Sequence, residues 1–228
     1  MRPFSERVGC EAVGRTKEFD EGEVLDGALD LCWRQAYKAT SVRDLVAATE
    51  VAESSLYNCY GGKRGLFLVA LARYRKMLSR YLKRLAEFES PAAGLRWMFD
   101  GVAKGLASQS DFRGCMITNT TIELAPHDAE LQAELRSIYR EVEDVFCRVL
   151  KKAAQRGELA ESRPPRALAR YLMQNLEGLR VLAKSDPGAR TLRGMANTTL
   201  ALVLKVHTTA SARRSPSRGR AAARRQGE

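Results

Sequence analysis

Between residues 54 and 63 the chain sets Ser54, Ser55, Tyr57, Asn58, Tyr60 and Lys63 within ten positions, with Arg64 directly after them. These groups are suited to nucleic acid rather than to bond cleavage. Tyrosine and serine hydroxyls reach phosphate oxygens, an asparagine amide reads adenine bidentately, and a lysine adds charge beside helix N-terminal amides. Leu56 is the apolar anchor that would turn the remaining side chains outward.

A second constellation lies further along. Trp97, Met98, Met116, Tyr139, Phe146 and Met173 are large, adaptable side chains at helical spacing, suited to an apolar small molecule or simply to a core. Cys115 follows Gly114 at an expected helix start and stands two residues after Arg113, a setting that favours a thiolate and so a target for oxidants or electrophiles. The alternative is a small buried hydrophobe. Catalysis has little to draw on: there is no Ser-His-Asp set, phosphate loop or paired carboxylates, and His127 and His207 sit outside any constellation. Cys10, Cys32, Cys59, Cys115 and Cys147 are odd in number and scattered, which argues against a disulfide framework and a zinc site. No metal or cofactor is expected, and the chain is not expected to be an enzyme.

The elements that must position these residues are helices. Val24, Leu25, Ala28, Leu29, Cys32 and Trp33 stripe one face over 21–36, with Asp20 and Glu23 as a capping box. A short helix runs over 42–49 from Thr40 or Ser41; a shorter one opens at Ser54 or Ser55 and stops at Gly61-Gly62. From Arg64 a long helix carries Leu66, Phe67, Ala70, Leu71, Tyr74, Met77, Leu78 and Tyr81. Further helices are expected near 91–108, 114–124, 128–156, 165–184 and 188–207, with prolines at their starts. No alternating strand pattern and no repeat is present, so the fold class is all-α.

A helix, a turn and a second short helix form a helix-turn-helix, in which the first helix braces the second against the major groove. The alternative is a helical hairpin whose polar face is only solvated. Charge alone does not decide. The formal net charge is +11, yet residues 1–63 carry eight cations against eleven anions, and the excess sits in the long helix and in six arginines after residue 210. That tail lacks large apolar residues and is expected to be disordered, solvated or in loose phosphate contact. No run of about 18 apolar residues could span a bilayer, and the opening residues lack a secretory apolar stretch, so a cytoplasmic protein is expected.

Residues 14–74, with the lead-in GRTKEFD, the second helix YKATSVRDLV, the third SSLYN and the opening GGKRGLF of the fourth, resemble the N-terminal DNA-binding domain of the TetR family of bacterial transcriptional regulators. The stretch RGCMITNTTIELAPHD at 113–128 is similar to the ligand domain of one subgroup, in which some members sense reactive species through a cysteine. The resemblance implies a flexible arm over 1–17, a DNA-binding domain over 18–78 with its motif at 41–60, a ligand-binding and dimerisation domain over 79–207, and a basic tail over 208–228. It implies that Thr40, Ser41, Ser54, Ser55, Tyr57, Asn58, Tyr60 and Lys63 face DNA and that Arg15 and Lys17 act as an arm. It further implies a homodimer on a pseudo-palindromic operator, most often a repressor released by a small-molecule effector. Leu168, Tyr171, Leu172, Leu176, Leu179, Leu182, Leu192, Met195, Leu200, Leu202 and Val203 are the expected four-helix interface, or else part of the monomer core. Two alternatives stand beside this: a helical binding protein whose reading head is out of use, and a switch through Cys115. Glu50 and Ala36 stand where members favour glycine, Tyr60 replaces the usual phenylalanine, and Cys59 is an unusual occupant of the reading helix.

Overall fold

Apolar side chains at three- and four-residue intervals can be buried only if helices pack face to face, and every long element of this chain has that pattern. The computed structural model describes residues 20–108 and 113–205. The helices are α1 (Glu21–Gln35), α2 (Val42–Thr49), α3 (Glu53–Tyr60), α4 (Lys63–Glu87), α5 (Pro91–Ser108), α6 (Met116–Glu123), α7 (Ala129–Gln155), α8 (Pro165–Leu182) and α9 (Ala189–Ala201), with 3₁₀ turns at Ala125–His127 and Ala183–Ser185.

Side-chain caps fix several starts. The Asp20 carboxylate accepts from the Gly22 and Glu23 amides, and Ser41 and Asp44 form a reciprocal capping box at α2. Asp128 accepts from Leu131 N at α7. Pro91 and Pro165 are first residues of their helices, where the missing N–H costs nothing. α3 opens one residue before the expected serines, at Glu53, and has no side-chain cap. α9 ends at Ala201, short of the expected 207, because Leu204 turns away to bridge Leu159.

Two close approaches set the N-terminal helices. A Cβ on Gly27 would stand 2.6 Å from Ala48 O, and one on Gly65 would stand 1.5 Å from Tyr60 O. Only glycine lets α1 meet the end of α2, and α4 the end of α3, at those distances.

The core has two parts. One gathers α5, α8, α9 and the later turns of α4 and α7 around Phe99, Phe146, Leu150, Leu172 and Leu179. The other gathers α1 to α4 around Leu45, Leu56, Leu66 and Phe67, and it continues into Cys115, Met116, Ile117, Leu131, Leu135 and Ile138. A boundary at residue 79 falls within α4, and the core of the first four helices is completed by α6 and the start of α7.

Of the residues expected at an α8–α9 interface, Tyr171 and Met195 are half-buried and Leu182 and Leu202 are exposed. Leu168, Leu172, Leu176, Leu179, Leu192, Leu200 and Val203 are all buried within the single chain. Their spacing belongs to the monomer core, and the exposed apolar residues of this region are Val181, Leu182 and Leu202.

Candidate nucleic-acid interface

α3 turns one face in and the other out. Leu56 and Tyr60, four residues apart, are buried, whereas Ser54, Tyr57 and Asn58, at i, i+3 and i+4, are exposed; Ser55 and Cys59 are half-buried on the flanks. The helix is closed by Gly61 at φ 71°, whose amide donates to Tyr57 O while the Gly62 amide donates to Leu56 O. Gly62 follows at φ 91°, and a Cβ there would stand 2.7 Å from Tyr57 Cε1. The second glycine thus leaves room for the Tyr57 ring, which stays 52% exposed.

Lys63 opens α4 beside this face, its ammonium 4.3 Å from the centre of the Tyr37 ring. Ser41 is exposed at the head of α2. Its hydroxyl accepts from Asp44 N at 3.1 Å while its own amide donates to Asp44 Oδ2 at 2.8 Å. That backbone hydrogen bond holds the Asp44 carboxyl below its ordinary range.

Ser41, Ser54, Tyr57, Asn58 and Lys63 are accessible to a partner, with Ser55 at the margin. Thr40 and Tyr60 are not. Thr40 is buried, its hydroxyl donating to Ala36 O at 2.7 Å to close the turn after α1. Tyr60 is buried because it lies on the same face as Leu56, and the ring packs where an all-carbon aromatic would also fit. Arg15 and Lys17 lie outside the described residues.

The glycine-favouring positions are occupied against preference. Ala36 has φ 66° and ψ 171°, a region almost confined to glycine, and Glu50 has φ 55° and ψ 20° in the left-handed region. Both flank α2, so strain sits at the two turns that set the brace for α3.

The second constellation is partly assembled. A cavity of about 20 Å³ is lined by residues including Met98, Cys115, Ile117, Tyr139, Met173, Glu177 and Arg180. Met98, Cys115, Tyr139 and Met173 therefore border one cavity. Trp97 stacks instead with Tyr81, Phe88 and Arg84; Met116 is buried in the core under α1 to α4, and Phe146 in the core of the later helices. Each carries a helical pattern that looks alike from sequence, and only the packing separates them. Glu177 and Arg180 were not legible as pocket residues, because charged side chains three apart on an amphipathic helix ordinarily face water. Here Arg180 Nη1 donates to Glu177 Oε1 at 2.6 Å, and the Thr118 hydroxyl donates to Glu177 Oε2. Burial, reinforced by the Glu177 carboxylate, pushes the Tyr139 hydroxyl above its ordinary pKa, so it remains a donor at neutral pH.

Cys115 is buried, and its Sγ takes a hydrogen bond from Tyr74 Oη at 3.4 Å. Burial raises the Cys32 thiol to about 11. Cys59 is half-buried on α3 and Cys147 is buried on α7.

α6 connects this cavity to α1 and the turn that follows it. At one end Gly114 O accepts from Trp33 Nε1 at 3.0 Å, and Arg113 pairs with Asp30 at 2.8 Å. At the other end the Glu123 carboxylate receives the amides of Tyr37 at 2.9 Å and Lys38 at 2.6 Å. Arg64 meets Asp128 at 2.6 Å just beyond.

Comparison with known proteins follows this division. Residues 24–70 match the model for bacterial regulatory proteins of the tetR family, and residues 91–199 match a tetracyclin repressor-like C-terminal domain. An uncharacterized HTH-type transcriptional regulator of Bacillus subtilis (strain 168), YezE, is 36% identical over 75% of this chain and 90% of its own length. The HTH-type transcriptional repressor ComR of Escherichia coli (strain K12) is 30% identical over 83% of this chain and 91% of its own. Among solved structures, a cysteine mutant of the regulator CifR complexed with 26-bp double-strand operator DNA superposes with a TM-score of 0.74 at 26% identity, over 83% of this chain and 100% of that one.

Proposed function

The chain belongs to the TetR family of bacterial transcriptional regulators, and from that premise we propose that it docks α3 in the major groove of a pseudo-palindromic operator as a homodimeric repressor. The observation that carries this is the outward face of α3, where Ser54, Tyr57 and Asn58 stand together beside Lys63 with Leu56 and Tyr60 buried behind them. In this reading Tyr57, Ser41, Ser54 and Lys63 contact phosphate, and Asn58 reaches base edges. Ser55 supports the edge of the same face.

Dimerisation sets two α3 helices about 34 Å apart for successive major grooves. The apolar residues left exposed at the ends of α8 and α9 support a partner there. Release comes from an effector in the cavity beside α6. A ligand changes the equilibrium only if it prefers one state, and α6 offers the lever: its first turn borders the cavity, and its last residue holds the turn after α1 through Glu123.

A second reading rests on Cys115 itself, which borders the cavity and is hydrogen-bonded to Tyr74 of α4. A small electrophile that alkylated its sulfur would break that contact. Its burial restricts this route to reagents that fit the cavity, and release that survives Cys115→Ser removes it.

Selection of bound fragments from genomic DNA tests the main reading. A pseudo-palindromic site is expected, and binding that stays non-specific on all sequences would instead leave a helical binding protein with an idle reading head.

A further inference from the structure

We infer that the cavity beside α6 takes a small carboxylate with an apolar body, the carboxylate docking on the guanidinium of Arg180. The inference rests on the effector reading above and gives that effector a chemical class.

The cavity walls are mostly hydrocarbon and thioether, from Leu78, Met98, Ile138, Val142, Met173 and Leu176. Placing a guanidinium there is costly unless it is paired and hydrogen-bonded. The Arg180 side chain is only 15% exposed, yet its hydrogen bonding among the described residues is one contact, Nη1 to Glu177 Oε1. An arginine presents five N–H donors in a rigid fork that suits a carboxylate bidentately. Glu177, by contrast, has one oxygen on Arg180 and the other on the Thr118 hydroxyl. The site therefore has donors to spare and few acceptors, which selects an anion over a cation.

The surroundings lean the same way. Beyond the cavity lining, Lys184 adds a cation near the Gly114-Cys115 step, where a Cβ on Gly114 would stand 3.2 Å from Lys184 Cε; Arg113 on the other side is already paired with Asp30 at 2.8 Å. The Tyr139 hydroxyl also borders the cavity; its one O–H is engaged with the Thr121 hydroxyl at 3.3 Å, which itself donates to Ile117 O, and would reach an acid only by leaving that contact.

At about 20 Å³ the cavity has room for roughly one water molecule. An organic acid must therefore open it, and Met98 and Met173 are the unbranched side chains able to swing aside. The same opening presses on Cys115 and Ile117 at the start of α6. The acid is then bound at the expense of the contacts that α6 makes with α1.

The test uses the full chain with benzoate, 3-phenylpropionate and hexanoate, each beside its amide and its amine. Binding is titrated without DNA by fluorescence and thermal shift, and release is titrated on the selected operator. At least one acid is expected to bind about tenfold or more tighter than its amide and amine. Arg180→Gln should abolish that preference and Arg180→Lys should restore part of it. Glu177→Gln removes a neighbouring negative charge and should tighten the acid severalfold; it decides the matter if Arg180→Gln does not fold. Failure of every acid to bind, an amide or amine that matches its acid, a preference that survives Arg180→Gln, or weaker acid binding in Glu177→Gln would each overturn the inference. The probe-free operator arm keeps the two readings apart: operator binding with no acid bound defeats only the acid, and acid binding without an operator defeats only the regulator.

Discussion

Ala36 and Glu50 hold the two positive-φ turns around α2 with side chains that disfavour them. Replacing either by glycine removes a Cβ penalty of about 1 kcal/mol at the left-handed turn, and about 1–3 kcal/mol at the rarer conformation of Ala36. Ala36→Gly is therefore expected to raise Tm by at least ~2 °C in a domain of this size, read by calorimetry, and Glu50→Gly by less. An unchanged or lowered Tm would mean that these turns are relaxed. At this scale much was legible: the polar run from Ser54 to Lys63 carries its own chemistry. The burial of Tyr60 had a signal in the sequence, since four residues separate it from Leu56 and one helical face must hold both. The burial of Thr40 had none, because its hydroxyl is satisfied by the carbonyl of Ala36 in the turn after α1, a pairing set by the local backbone.

Element placement depends on a few close approaches. Gly65 admits the carbonyl of Tyr60 against its Cα, so Gly65→Ala forces α4 away from α3 and should cost at least the ~1–3 kcal/mol typical of overpacking. A lowered Tm together with weakened DNA binding is the expected outcome; wild-type values in both would show that the junction is plastic. Asp128 links elements as well, capping α7 and pairing with Arg64. The backbone hydrogen bond from Leu131 holds its carboxyl below the ordinary range. Its contribution is therefore complete above the unfolded-state pKa, about 4, and is lost as pH falls through the folded value. Asp128→Asn should flatten the acid limb of the stability profile, and an unaltered limb would contradict the assignment. Helix positions followed closely from apolar spacing, caps and prolines. Which residues line the cavity did not, because Trp97, Met116 and Phe146 share the helical periodicity of Met98 and Met173, and distance across the bundle is absent from a one-dimensional pattern.

For the whole molecule, the leucine stripes of α8 and α9 are consumed by the monomer core, and the proposed dimer contact draws on apolar residues left outside it, among them Val181 at 45% and Leu202 at 63% exposure. Val181→Asp combined with Leu202→Asp should turn the dimer into a monomer by sedimentation, lower Tm to a value independent of protein concentration and cause a large loss of operator affinity; a persistent dimer would place the interface elsewhere. The division into a DNA-binding head and a C-terminal helical bundle was legible from sequence, but the shared core through Cys115, Met116 and Ile117 was not, since it joins segments separated by 41 residues at the nearest, Tyr74 to Cys115, and by 81 between Trp33 and Gly114. That shared core is the route by which the proposed effector would act on α3. The most direct test of the central claim is the salt dependence of binding to the selected operator for the wild-type chain, Tyr57→Ala and Lys63→Ala. Weaker binding by both, with the log–log slope for Lys63→Ala shallower by about 1, is the predicted result; affinities and slopes equal to wild type would contradict the assignment of this face to DNA.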